Sequence, residues 1–197
     1  VLEPREERLP WAIYSSVGLK TPVRHLALNL GAPGDRKDSH GTVWLSYPRH
    51  VAYQETSLDV KLDLQPQFAE GGGYDSVSEN STSVNAAETE WLYTSWAAGL
   101  KELTLPLLGE GDQPASFSVQ LHFADARDKT TGDTVFDVQF NGTTVLSDVT
   151  LTAAKDEEVP AVLREVKDFS VTDNLKVTLV AKQGVPLLNA VKVIRNE

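Results

Sequence analysis

Aromatic residues gather in the first half of the chain in a pattern that could build a ligand surface. Trp44, Tyr47 and Tyr53 lie in or just after one short apolar run. Tyr74 sits in a Gly/Ser-rich stretch, and Trp91, Tyr93 and Trp96 follow it. Flat aromatic faces stack on the C–H-rich faces of sugar rings, and acids, amides and arginines hydrogen-bond the hydroxyls. Because its surroundings are polar, Tyr74 is the preferred contact, with Tyr93, Tyr47 and Trp96 behind it. Arg127, Asp128 and Asp35 are the candidate polar partners. Against this stands the plainer reading that each ring belongs to a core and each polar residue to a loop.

Other chemistries find little support. The histidines are His25, His40, His50 and His122, and no pair has the i, i+4 spacing of a helical zinc site. His122 is expected to point outward from a strand. The oxygen-rich stretch from Asp125 through Asp128 to Asp133 is a place where a structural Ca2+ could sit, although no EF-hand spacing exists, and no cofactor is expected. Gly71, Gly72 and Gly73 precede neither a lysine nor a helix pattern, so they read as a loop tip rather than a phosphate cradle. No G-x-S-x-G elbow, P-loop or G-x-G-x-x-G is present. Carboxylate pairs such as Glu88 with Glu90, or Asp63 with Glu70, are no more than an acidic chain supplies anyway. The chain is read as non-catalytic.

The elements that must position these residues are strands. Residues 25–30 alternate before a Gly-Ala-Pro-Gly turn at 31–34, and residues 42–46 form a second short strand. Residues 58–64 alternate apolar with charged. Residues 65–90, with the three glycines and a Ser/Thr/Asn-rich run, are expected to be a long loop. Further strands are expected at 91–96, 101–107, 115–123, 134–140, 143–150, 162–171, 174–182 and 187–194. The last is apolar on both faces, as a central strand is. Asn141-Gly142 is a two-residue hairpin signal. Only residues 88–100 carry enough helix formers for a helix, and their aromatics argue against one. The expectation is an all-β fold, a jelly-roll-like antiparallel β-sandwich with little helix. Residues 1–24 read as a linker or docking segment and 25–197 as the sandwich domain.

Composition bounds the partners. The 197 residues are 41% hydrophobic and 23% charged, enough to bury a core without cross-links. With 28 acidic and 18 basic residues the net charge is −10, which disfavours nucleic acid and anionic membranes. There is no cysteine for disulfides or thiolate–metal chemistry, and no run of about 18 apolar residues that would span a bilayer. The absence of methionine, even at position 1, is taken to mean that the chain begins inside a longer polypeptide or after processing.

The sequence FSVQLHFAD at 117–125 is followed by TVFDV at 134–138, FNG at 140–142 and VLSDV at 145–149, and the chain closes with PLLNAVKV at 186–193. In order and spacing this resembles the malectin-like family's Y-x-V-x-L-x-F-A-E, R-V-F-D-V-x-x-N-G-x-x-V-x-x-D-x-D and P-x-I-N-A-I-x-V. Residues 91–106 resemble the family's preceding edge strand, and Leu28 to Gly31 its opening I-N-x-G. The resemblance implies a sandwich that binds sugar without catalysis, through loops at one end. Its site residues carry over in part. Tyr93 stands where the lectin has a sugar-contacting tyrosine, Arg127 and Asp128 stand where it has an aromatic pair, and Gly184 replaces an aspartate. Residues 29–36 and 41–48 look like the start of malectin-like modules in large bacterial secreted proteins.

Two function classes follow. One is a carbohydrate-binding module recognising a glycan or polysaccharide through loop aromatics. The other is a structural or protein-interaction domain with no sugar site, whose partners are other domains of the same polypeptide. Either implies an extracellular or periplasmic setting as part of a larger protein. Burial of Tyr74 and Tyr93 would favour the second.

Overall fold

The computed structural model describes residues 21–49, 62–81, 83–86, 89–127, 132–152 and 158–196. Among these are fourteen strands: β1 (His25–Leu30), β2 (Arg36–Lys37), β3 (Val43–Tyr47), β4 (Gln67–Ser76), β5 (Ser83–Asn85), β6 (Ser95–Pro106), β7 (Ala115–Phe123), β8 (Thr134–Phe140), β9 (Thr143–Leu151), β10 (Glu158–Pro160), β11 (Val162–Val171), β12 (Asn174–Gln183), β13 (Leu187–Leu188) and β14 (Ala190–Arg195). The described helical structure is a single 3-10 turn, Glu90–Tyr93.

The strands form two packed sheets. One runs β11-β7-β14-β1-β3-β2. The other runs β13-β6-β12-β8-β9, with β4 also paired to β6. Pairing is antiparallel except between β1 and β3 and in the separate β10-β5 pair. The period-2 pattern explains the core. Phe117, Val119, Leu121 and Phe123 of β7 face Phe136, Val138 and Phe140 of β8, all fully buried. Phe123 and Phe136 meet edge-to-face across the sheets at 5.4 Å. β14, expected to be central, lies between β7 and β1. The β8–β9 hairpin turns on Asn141 (φ 47°) and Gly142 (φ 81°), both in the left-handed region that such a turn requires.

Residues 65–90 are not one long loop. Ten of them form β4, which pairs with β6 across an irregular register between Phe68 and Gly73. Gly72 and Gly99 cross here so closely that a Cβ on Gly72 would lie 2.8 Å from the Ala98 carbonyl oxygen. The glycines serve close backbone approach, which local sequence cannot distinguish from a flexible tip. Likewise 91–96 and 101–107 are not two strands: Trp91 to Tyr93 lie in the 3-10 turn, and a single strand follows to Pro106. Of the alternating stretch expected at 58–64, residues 62–64 are not in a strand and 58–61 lie outside the described residues, as do His50, Tyr53 and residues 1–20 of the expected linker.

Candidate functional site

His122 does not point to solvent. It alternates away from the main core, but its face of the sheet is covered by a second apolar cluster: Trp44, Val84, Leu92, Tyr93, Ala124 and Val159, with Ala27 and Ala190. The 3-10 turn and the β5-β10 pair supply this cover, and His122 is 7% exposed beneath it. The Tyr93 hydroxyl is 2.9 Å from His122 Nδ1, and Trp44 meets the imidazole edge-on at 5.2 Å. Burial, reinforced by the Lys192 ammonium, pushes the His122 pKa down to about 4, so the ring is neutral at physiological pH. Burial pushes the Tyr93 hydroxyl up to about 12.

A buried polar frame ties the loops of this end together. Asn189, fully buried, donates from Nδ2 to the carbonyls of Tyr93 and Ser95 and accepts from the Ala124 amide at 2.7 Å. Ser95 Oγ donates to Asn29 Oδ1 at 3.0 Å. Asp125, 2% exposed, is gripped by Arg127 through Nε at 2.8 Å and Nη2 at 2.6 Å. Arg127 also donates to the Val185 carbonyl at 3.0 Å, so it clasps the β7–β8 and β12–β13 loops. Asp128 lies outside the described residues. Gly184 has φ +68°, and a Cβ there would approach Thr134 Oγ1 to 2.8 Å, so this backbone has no room for an aspartate.

Three loops of the sandwich leave a cleft of about 610 Å³. Asn29, Gly34, Asp35 and Arg36 line one side, Ser76 to Glu79 another, and Trp91, Thr94 and Ser95 the third. Trp91 is half-buried. The Arg36 guanidinium carbon lies 4.6 Å from the Trp91 ring centroid, and its Nη1 donates to Glu79 Oε1 at 2.6 Å. A single cation thus bridges all three loops. Asp35 accepts from the Ser46 amide and hydroxyl and takes Arg49 in a two-pronged pair at 2.9 and 3.1 Å. Below it Asp38 anchors the β2–β3 turn. Burial raises its pKa, but hydrogen bonds from Trp44 Nε1 and from the Thr42 and His40 amides outweigh that and hold it below the usual carboxylate range.

The aromatic residues picked out from sequence divide between two places. Tyr47 and Tyr74 meet edge-to-face at 5.8 Å, and Phe68 packs on Tyr74 at 5.1 Å. Both tyrosines are half-buried, and Tyr74 belongs to β4 rather than to a loop. Its hydroxyl is enclosed without a hydrogen-bond partner, and burial raises its pKa well above the usual range. Tyr93 (4% exposed) lies under the second cluster and Trp96 (3%) in the main core, so neither ring offers a face to solvent. Trp91 and Arg36 line the cleft instead. The signal for Trp91 was its place in the same aromatic run. Arg36 carried none, because its partners Glu79 and Trp91 are 43 and 55 residues away. Among the described residues no cluster of three or more His, Asp or Glu could hold a metal ion, and no helix is long and apolar enough to cross a membrane.

The malectin domain profile matches residues 25–191. This chain belongs to the malectin domain family. The family assignment agrees with the all-β sandwich and with the sequence strings of β7, β8 and β14. Among solved structures the malectin-type fold recurs in a Bacteroides uniformis beta-glucuronidase, with a TM-score of 0.61 at 15% identity, covering 88% of this chain and 18% of the enzyme. It recurs in the plant receptor-like kinase FER (TM-score 0.59, 15% identity, 94% of this chain and 54% of that one). The ANX2 ectodomain from Arabidopsis thaliana gives a TM-score of 0.56 at 15% identity, over 88% of this chain and 42% of that one. At these identities the likeness is one of fold. The chain spans about a fifth of the glucuronidase and about half or less of the receptor ectodomains. No curated protein matches at the level of sequence.

Proposed function

We propose that this malectin domain is a non-catalytic carbohydrate-binding module of an extracellular or periplasmic protein, and that its glycan sits in the cleft between Arg36, Glu79 and Trp91. The observation that carries the reading is the cleft itself. It is open, it holds a half-exposed tryptophan, and it surrounds that ring with an arginine, two carboxylates and an amide. These are the groups that pyranose faces and hydroxyls require, and none of them needs a cofactor or Ca2+. Tyr93 and Trp96 enter as support beneath the site, and Tyr47, Tyr74 and Arg127 are the remaining candidates for contact with a longer chain. Affinity electrophoresis of the 197-residue chain in a panel of polysaccharides tests this. Trp91→Ala should weaken retardation about tenfold, the ratio that roughly 1.4 kcal/mol of lost stacking gives. Failure of every polysaccharide to retard the wild type would sink the reading.

One set of observations favours the interaction-domain alternative. Tyr93 and Trp96 are buried, while Val180 (38% exposed) and Val185 (49%) flank a shallow groove with Pro186 and Lys101. One structural neighbour is the receptor FER in complex with the peptide RALF23 and LLG2. Under that reading the partner is another protein or another domain of the same polypeptide, and Trp91→Ala would leave its binding unchanged.

A further inference from the structure

We propose that Glu79 is a specificity-determining residue: by supplying Arg36 with a carboxylate from the chain itself, it makes the cleft select neutral sugar residues over uronates. This rests on the carbohydrate reading of the same cleft.

An arginine beside a tryptophan in an open cleft would ordinarily attract a sugar carboxylate, since the guanidinium fork matches it. Here one arm of that fork is already engaged. Arg36 Nη1 donates to Glu79 Oε1 at 2.6 Å while the guanidinium lies over Trp91. The second acid of the cleft, Asp35, is likewise taken by Arg49. Each of these cations therefore arrives with an acid from the chain, and the cleft offers an anion no unmatched positive charge from them. A neutral pyranose needs no exchange of partners. One hydroxyl can donate to Glu79 Oε2 while another accepts from the remaining Arg36 N–H groups, and the pair stays intact.

A uronate meets Glu79 whether it displaces that carboxylate or takes the Arg36 N–H groups beside it. The displacement itself is easy, because both partners are about half exposed (45% and 56%) and such pairs are weak. What remains is repulsion. The Glu79 carboxylate stays tethered within a few ångströms of the incoming one, and the whole chain carries a net charge of −10. Two like charges about 4 Å apart disfavour the complex by about fivefold even at the dielectric of bulk water, and by more near a protein surface. The sequence gives no hint of this selection, since it depends on bringing together residues 43 apart.

The test uses the 197-residue chain and Glu79→Gln in affinity electrophoresis at low salt. The probes are hydroxyethyl cellulose, glucomannan and soluble starch, each before and after selective oxidation of its C6 hydroxyls to carboxylates. The wild type should bind a neutral polymer at least roughly fivefold more tightly than its oxidised form. Glu79→Gln should shrink or invert that ratio while its melting temperature stays unchanged. Because both proteins meet the same polymers, a loss caused by the missing C6 hydroxyl alone would leave the ratio the same in both. Equal binding of oxidised and neutral polymer by the wild type would overturn the inference, as would an unchanged ratio in Glu79→Gln. Either result leaves the carbohydrate reading standing. No retardation by any of these polymers, neutral or oxidised, would overturn the inference, and the same failure across the whole polysaccharide panel would remove the carbohydrate reading with it.

Discussion

Acidification should destabilise this domain in a window set by one buried histidine. His122 has its pKa lowered from 6.5 to about 4, first by burial and then by Lys192. The folded state therefore resists protonation where the unfolded chain accepts it. The unfolded state binds more protons between those two values, so stability is complete above the unfolded value and falls as pH drops toward the folded one. At about 1.36 kcal/mol per pKa unit, the interval caps the effect at roughly 3.4 kcal/mol. By about pH 4.5, roughly 2.5 kcal/mol of it should be gone, lowering the melting temperature by about 5–10 °C for a domain of this size. Asp38 and Asp137, whose pKa values lie below the ordinary 3.8, lose their contribution only at still lower pH. His25, also lowered, acts in the same direction but equally in wild type and variant. The assay is urea unfolding followed by tryptophan fluorescence at several pH values, comparing wild type with His122→Asn. Asparagine keeps a polar group beside Tyr93 but does not titrate. The variant is less stable near neutrality and its pH profile is flatter by about the amount above. Parallel profiles for the two proteins would refute the reasoning, whatever their absolute stabilities.

Three other outcomes follow from the polar frame and the backbone. Asp125→Asn leaves the partly buried Arg127 without its counter-charge and should cost roughly 2–3 kcal/mol in chemical denaturation. Asn189→Ala removes three buried hydrogen bonds at once and should cost roughly 3 kcal/mol or more, with amide exchange at Ala124 accelerating first. Gly31→Ala adds a Cβ 2.7 Å from the Asp75 carbonyl oxygen at φ +78°, so β1 must shift away from β4 and β6. Its thermal midpoint should drop by several degrees, whereas Gly142→Ala, with open space around it, should lose much less.

The sandwich was legible in the sequence because its signals are local. Alternation in residues 115–123 and 134–140 marks β7 and β8 to the residue. Asn141-Gly142 fixes the turn after β8 because positive φ at two successive positions admits few residue types. The two-sided apolar run near the C-terminus identified β14 as central. The alternation also said which face of β7 His122 occupies. It could not say what covers that face, because the cover comes from the 3-10 turn and the β5-β10 pair, about 30 or more residues away in each direction. The same limit concealed β4, whose glycines make sense only once Ala98 and Gly99 lie against them.

The aromatic run at 91–96 shows the division within a single segment. Residue type alone announced three rings capable of stacking on a sugar. The 3-10 turn then rotates the chain through Glu90–Tyr93, so that Trp91 lines the open cleft while Tyr93 and Trp96 are packed inside. What the chain's own pattern determined is the malectin-type scaffold, since strand alternation and turn chemistry depend on neighbours a few residues apart. What only the tertiary structure decided is which aromatic ring meets solvent and which charges stand beside it. Those depend on Arg36, Glu79 and Trp91, which meet only when three separate loops close on one end of the sandwich.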